Sequence, residues 1–427
     1  MYMRKLQFVI NCMALAMLVA CSKSKGSNAR QEVRAAVETK VPEGKENPAM
    51  TFLHKEEPVN TADLPVLDMK KEYPKKTIAL QDIADVEYIV LESHEDGLVG
   101  HQDIIMTDSF IITMREMEDV VFFRRDGSFS HYFSRKGGSG EEYSRFADLC
   151  VDPLLREVYI HDWQRHKLQV YTYEGEYKRT LKVRAEGYTW GKIHCLSKDT
   201  RSLLMEDLMN VNGKVEKHTN PRPYYMLSVT DGTVSRLPLT IKKRIGNSVS
   251  YYDKEADKFI TISTSISPIS NINGGLIFAD FALDTIYQYK DKHFVPIAKK
   301  ENWMKENGTP WLVAPDAVTE DFFMWTAVEK DFNKTILPTR TFLQNRHTGK
   351  CIQVKLTDRN ITAEGYPFRA PMTANCHILP DNTVLQYYRS YELLALYEGG
   401  KLQGELKEIA SKLDVEDNPV IMLAKFK

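Results

Sequence analysis

Between Phe110 and Tyr177 the apolar positions fall into short alternating runs that recur at a fixed distance. At an offset of 48, FIITMREMEDVVFFRRDGSF from Phe110 lies over VYIHDWQRHKLQVYTYEGEY from Val158. Phe110 meets Val158, Ile112 meets Ile160, Val120 meets Leu168, Phe122 meets Val170 and Gly127 meets Gly175. Each copy reads as strand, polar link, strand, tight turn, strand. Two-residue alternation marks a half-buried strand, and Asp-Gly or Glu-Gly between apolar runs marks a hairpin.

The unit recurs with drift. Further turns are expected at Asp231-Gly232, near Asp291-Lys292, at Thr348-Gly349 and at Glu398-Gly399, so that successive turn positions lie 48, 57, 60, 57 and 50 residues apart. That period accommodates four strands and their links, which predicts an all-β six-bladed β-propeller over residues 71–427. A sandwich would not explain so long a repeat. Val420 to Phe426 and Tyr88 to Leu91 are too apolar to stay in solvent, so at least one should join a blade built from the opposite end of the chain. Leu402, Leu406, Ile409, Ala410 and Leu413 fall at helical spacing and predict a short C-terminal amphipathic helix.

One stretch, GGSGEEYSRF from Gly137 to Phe146, looks catalytic at first sight. A phosphate-holding loop runs from a strand into a helix N-terminus, and here neither the dinucleotide pattern nor the lysine-containing phosphate-loop pattern is met. Its place after His131–Ser134 and before Ala147–Val151 makes it a crossover from an outer strand to the inner strand of the next blade. GGSGEEYSRFADLCVDPLLREVYIHDWQRHKLQVYTYEGEY resembles an NHL-type propeller repeat. More closely, the chain resembles the six-bladed propeller lipoproteins of Bacteroidetes. VEYIVLESHEDGLVG from Val86, DTIYQY from Asp284 and NPVIMLAKFK from Asn418 also carry the likeness, which spans roughly residues 75–427. The glycine stretch departs from the usual G-x-G-P-G-E-Y in having no proline.

The N-terminus carries an address. Arg4 and Lys5 precede an apolar run from Leu6 to Ala20, short for a membrane span of about 20 residues. The run ends in Leu18-Val19-Ala20-Cys21, which resembles a bacterial lipobox. The resemblance implies a lipoprotein signal peptide over residues 1–20, lipidation of Cys21, and attachment to a membrane through acyl chains. Residues 21–70 then read as the lipidated cysteine and a flexible tether. Ser22 and Lys23, in place of an aspartate, favour the outer membrane by the retention rules of other lipoproteins; a periplasmic or surface-facing position stays open.

The chain's 57 basic and 58 acidic residues balance, which argues against a nucleic-acid partner. Beyond the signal and Cys21 there remain Cys150, Cys195, Cys351 and Cys376, with no C-x-x-C pair. They are expected to be unpaired, as small buried side chains. His161 and His166 read as ordinary blade positions rather than metal ligands, and Ser139 lacks the setting of a nucleophile elbow. By analogy with calcium-dependent propeller lactonases, Asp148, Asp280 and Asn375 are the nearest counterparts of channel ligands, but the first two flank strands and pattern as turn-proximal residues. No cofactor, metal or catalytic residue is assigned.

What remains is an aromatic and basic set, Trp163, Arg165, Trp190, Tyr388 and Arg389, suited to a glycan, peptide or protein ligand. The expectation is a monomeric, membrane-anchored binding module with its site on the loop-bearing face of the ring. The alternative is a channel-centred hydrolase or lyase of the calcium-dependent propeller lactonase type.

Overall fold

The structure, a computed structural model, describes residues 64–99, 104–145, 148–162, 164–181, 192–194, 202–207, 221–253, 257–264, 266–272, 275–331, 337–363 and 382–427. Cys21 and the expected signal peptide lie outside the described residues. The chain enters through β1 (Val66–Asp68), β2 (Lys75–Ala79), a one-turn helix α1 (Leu80–Ile83) and β3 (Ala84–Val90). Blade one is β4 (Ile104–Met106), β5 (Phe110–Arg115), β6 (Asp119–Arg124) and β7 (Phe129–Ser134). Blade two is β8 (Asp148–Asp152), β9 (Glu157–Asp162), β10 (Lys167–Thr172) and β11 (Tyr177–Leu181). Blade three is β12 (Ile193–His194), β13 (Ser202–Glu206), β14 (Tyr224–Ser228) and β15 (Val234–Arg236).

A two-stranded antiparallel hairpin follows, β16 (Ser248–Asp253) with β17 (Lys258–Ser263), in a compact unit distinct from the ring. Blade four is β18 (Ile269–Ile272), β19 (Gly275–Phe278), β20 (Thr285–Lys290) and β21 (His293–Glu301). Blade five is β22 (Trp311–Val318), β23 (Phe322–Glu329), β24 (Thr339–Asn345) and β25 (Cys351–Thr357). The last blade is built from β26 (Thr383–Tyr388) and β27 (Val420–Phe426), with helices α2 (Ser390–Glu398) and α3 (Gly404–Ala410) between them. Six sheets of this kind make an all-β six-bladed propeller.

Five of the expected turns are hairpins between the third and outer strands of blades one to five. At Gly127 the backbone takes a φ of +90°, and a Cβ there would meet the Val90 carbonyl oxygen at 2.1 Å, so only glycine fits. The sixth turn, at Glu398-Gly399, is not a hairpin. ELLALYE has no β-branched residue and consists mostly of good helix formers, so the chain leaves β26 as α2. Gly399 and Gly400 end that helix, their N–H groups donating to Ala395 O and Tyr397 O at 3.1 and 3.0 Å. The expected helix near the C-terminus is present as α3, with Leu406 and Ala410 fully buried.

The third strand of the closing blade comes from the other end of the chain. β27 pairs antiparallel with β26 on one side and with β3 on the other, Val420 lying opposite Val90 and Phe426 opposite Ala84. Chain ends far apart in sequence thus share one sheet, and the closing blade seals the ring.

The segment before β3 does more than the sequence suggests. β1 adds a fifth, parallel strand to the outer edge of blade four (Leu67 opposite Lys300), and β2 does the same to blade five (Lys76 opposite Val354). Val66–Asp68 falls inside the stretch expected as tether, yet Leu67 is fully buried. Strands of three and five residues with little alternation leave no readable period, which is why they escape a sequence reading.

Apolar seams between neighbouring blades form the core. Phe122, Tyr159 and Tyr171 lie in a cluster spanning blades one to three; Leu204, Tyr224 and Phe278 join blades three and four. Ile277 and Trp325 join four and five. Met324, Tyr388, Met422 and Leu406 join five to the closing blade, and Ile89, Leu385 and Phe123 join that to blade one.

The cysteines correct one expectation. Cys351 is a free thiol, but Cys150 on β8 is disulfide-bonded to a partner outside the described residues. Cys195 and Cys376 also lie outside them. The inner strand β8 adjoins β12 of the next blade, so distance between neighbouring inner strands does not forbid a bond from one blade to the next.

Candidate functional site: the loop-bearing face

In an antiparallel four-stranded blade, the link from second to third strand and the link from the outer strand to the next blade leave at the same end. That end of the ring carries a feature the repeat alignment misses. In blades two to five an acid stands at or just past the end of the second strand: Asp162, Asp207, Asp280 and Glu329. All four are buried. A buried carboxylate needs donors, and the loops supply them.

Asp162 accepts from the Ser144 N–H at 2.9 Å, the Ser144 hydroxyl at 2.8 Å and the Arg165 N–H at 3.2 Å. Asp207 is ion-paired with Arg236. Asp280 accepts from the Tyr224 hydroxyl at 2.7 Å and the Ala282 N–H at 2.9 Å. Glu329 is paired with Lys305 Nζ at 2.6 Å. Burial pushes the Asp280 carboxyl above its ordinary range. Beside Asp207, Glu206 is half-buried, and His194 at 3.5 Å and the Arg244 guanidinium outweigh its desolvation and hold its carboxyl at about 2. Asp162, Asp280 and Glu329 thereby anchor loops of this face, while Asp207 ties to the end of β15.

The glycine stretch is held by the same kind of bracing. Glu142 folds back so that its carboxylate accepts the Ser139 N–H at 2.8 Å, and a Cβ on Gly137 would fall 2.0 Å from Glu142 Oε2. The carbonyls are claimed from below: Gln169 Nε2 donates to Gly140 O at 2.9 Å, and the Tyr171 hydroxyl to Glu141 O at 2.7 Å. Tyr143 is fully buried, accepts the Arg135 N–H at 2.9 Å and has its hydroxyl pushed up to about 12 by burial. The stretch is a rigid crossover, as its place in the repeat implies.

Three of the five candidate residues are described, and each is engaged within the fold. Trp163 and Trp190 lie outside the described residues. Arg165 is exposed at the loop-bearing face, but its guanidinium donates to Gly137 O at 2.9 Å and Glu142 O at 3.1 Å, bracing the glycine crossover. Tyr388 is 1% exposed, and its hydroxyl donates to Asp358 at 3.1 Å. Arg389 begins α2, at the link from the first to the second strand, and donates to the Tyr391 hydroxyl at 2.7 Å. His161 is buried 3.6 Å from the Asp148 carboxylate, while His166 is exposed in a turn. Among the described residues no cluster of three or more His, Cys, Asp or Glu could hold a metal ion. The acid anchors were legible in principle, as VYIHD, LLMED, LIFAD and MWTAVE each end an apolar run in a carboxylate.

Comparison with known proteins adds the family and the fold. The family described as "Domain of unknown function (DUF4934)" matches residues 64–313. No curated protein matches the sequence. Among solved structures, a protein of Bacteroides fragilis NCTC 9343 assigned as exported superposes with a TM-score of 0.57 at 11% identity, over 85% of this chain and 99% of that one. A DUF4221 family member from Bacteroides vulgatus gives a TM-score of 0.48 at 10% identity, covering 81% of this chain and 99% of that one. A catalytically inactive virginiamycin B lyase from Staphylococcus aureus, solved with quinupristin, gives 0.32 at 10% identity over 63% and 98%. At such identities the likeness concerns the fold alone.

Proposed function

We propose that this chain, which belongs to the DUF4934 family, is an extracytoplasmic binding module, held at the outer membrane by lipid on Cys21. Its loop-bearing face would receive a glycan, peptide or protein ligand. The observation that carries this reading is the bracing of that face. Buried acids, the glycine crossover and Arg165 fix the loops to the blades, which gives a stiff platform suited to recognition. Trp163 and Trp190 fall by chain position in links that leave at this face, and with Arg165 they are the proposed ligand residues. Tyr388 is buried and Arg389 stands at the link from the first to the second strand, away from this face, so both leave that set.

Export is supported by the Cys150 disulfide, a bond that persists outside the reducing cytoplasm, and by the signal-like N-terminus. Acyl labelling of the full chain tests the anchor: Cys21→Ser should carry no acyl group, and normal acylation would refute it. Binding of glycan and peptide panels to the protein, compared with Trp163→Ala and Trp190→Ala, tests the face. Loss of binding at an unchanged Tm is expected. The hydrolase or lyase alternative would gain from one tightly bound calcium in the purified protein together with a large fall in Tm on chelation.

A further inference from the structure

Lys300 lies on the outer strand of blade four and is 0% exposed. Its amine donates to the Asp280 carbonyl oxygen at 3.0 Å and stands 5.2 and 5.8 Å from the ring centres of Trp303 and Phe281. Two carboxylates are near without pairing to it. That of Asp280 is taken by Tyr224 and Ala282, and that of Asp284 accepts the Trp303 indole N–H at 2.6 Å. The remaining charged groups around this pocket are engaged elsewhere: Asp68 with Asn302, Lys305 with Glu329, and Glu206 with Arg244. Leu67, opposite Lys300 on β1, is apolar. Burial opposes a charge on this amine, and the carbonyl and the two ring faces offset that cost only in part.

Trp303 opens the link from blade four to blade five, residues 302–310, on the loop-bearing face. This link is a small hairpin of its own: Lys305 N–H donates to Thr309 O at 3.0 Å and Trp311 N–H to Trp303 O at 2.7 Å. Its indole is tied to the blade through Asp284, which is exposed and therefore free to turn. The Lys300 N–H donates to Asp284 O at 2.8 Å, so the two residues are backbone neighbours, and the Asp284 charge acts on the amine.

We propose that Lys300 is a proton-operated latch on this link. With the amine neutral, Asp284 holds the Trp303 indole. When the amine takes a proton, the ammonium competes for the Asp284 carboxylate and Trp303 is released. Burial pulls the amine down to about 7, against the pull of Asp280 and Asp284, so the switch falls near neutrality. It concerns the loop itself and stands whether or not the face binds a ligand.

Hydrogen exchange of the amides of residues 303–309 tests it, with rates corrected for the chemical effect of pH. Between pH 8 and pH 6 the protonated share of such an amine goes from about one tenth to about nine tenths, so wild-type exchange should quicken by up to about tenfold. Asp284→Asn keeps an acceptor for the indole but loses the charge, and its corrected rates should be nearly equal at the two pH values. Lys300→Met should stay protected at both. A wild-type ratio near one, or an Asp284→Asn protein with the full wild-type response, would overturn the proposal. Because Asp284 is exposed, that variant carries the test if Lys300→Met does not fold.

Discussion

Asn418 Oδ1 accepts a 2.7 Å hydrogen bond from the backbone N–H of Val99, 319 residues earlier in the chain. The same side chain donates to Glu92 O at 2.9 Å and to Gly97 O at 2.8 Å. One buried amide thus ties the entry to the last strand into the segment leading to blade one. Asn418→Ala leaves a backbone donor and two carbonyls without their partner, and should destabilise the ring by about 3 kcal/mol. Urea unfolding with an unchanged m-value checks this; a loss below about 0.5 kcal/mol would show that water replaces the amide.

Leu67 gives a second test of closure. The residue sits on a three-residue strand within the expected tether, yet it is buried against blade four. Leu67→Ala should cost about 2–5 kcal/mol, the range for a core leucine. A true tether position would show no change in Tm.

The thiols are countable. Denatured, unreduced protein should show Cys351 as a free thiol and Cys150 as blocked. Since β8 adjoins β12 and His194 immediately precedes Cys195, digestion without reductant should return the Cys150 peptide joined to that of Cys195. A Cys150 peptide joined to Cys376 instead would place the bond across another seam.

Asp316 makes stability depend on pH in a direction opposite to a paired carboxylate. It is buried on the inner strand of blade five, where the β22–β23 register shifts between Pro315 and Ala317, with the Thr326 hydroxyl as its donor. Burial raises its carboxyl to about 7. The folded state therefore keeps a proton that the unfolded chain gives up near pH 4, and stability falls as pH rises from about 4 to about 7. Asp316→Asn removes that dependence. The variant should gain on wild type between pH 5 and pH 8, and parallel urea curves at the two pH values would contradict this.

The repeat was legible because tight turns demand particular chemistry. Asp126-Gly127, Glu174-Gly175 and their counterparts sit where an outer hairpin must reverse, and positive φ values there leave few residue choices. Glu398-Gly399 matched the same cue for another reason, since a helix C-cap also prefers glycine. The candidate site was less legible. Tyr388 looked available for recognition because an inner strand is buried on both faces and shows no outward alternation, and Arg165 because its partners are backbone carbonyls, which have no signature in sequence. Asp358 shows the limit: it gathers the hydroxyls of Tyr88 and Tyr388 and the Gln81 amide from segments hundreds of residues apart.

The edge strands at the start of the ring set the order in which it can be assembled. Val66 must wait for Lys299, Lys75 for Gln353 and Ala84 for Phe426. During synthesis the leading strands therefore have no sheet to join, and an unpartnered chain is the form that can still be threaded through a narrow translocation pore. Among the described strands, β1, β2 and β3 each wait for a partner made much later, and the closing blade can form only once β27 has arrived.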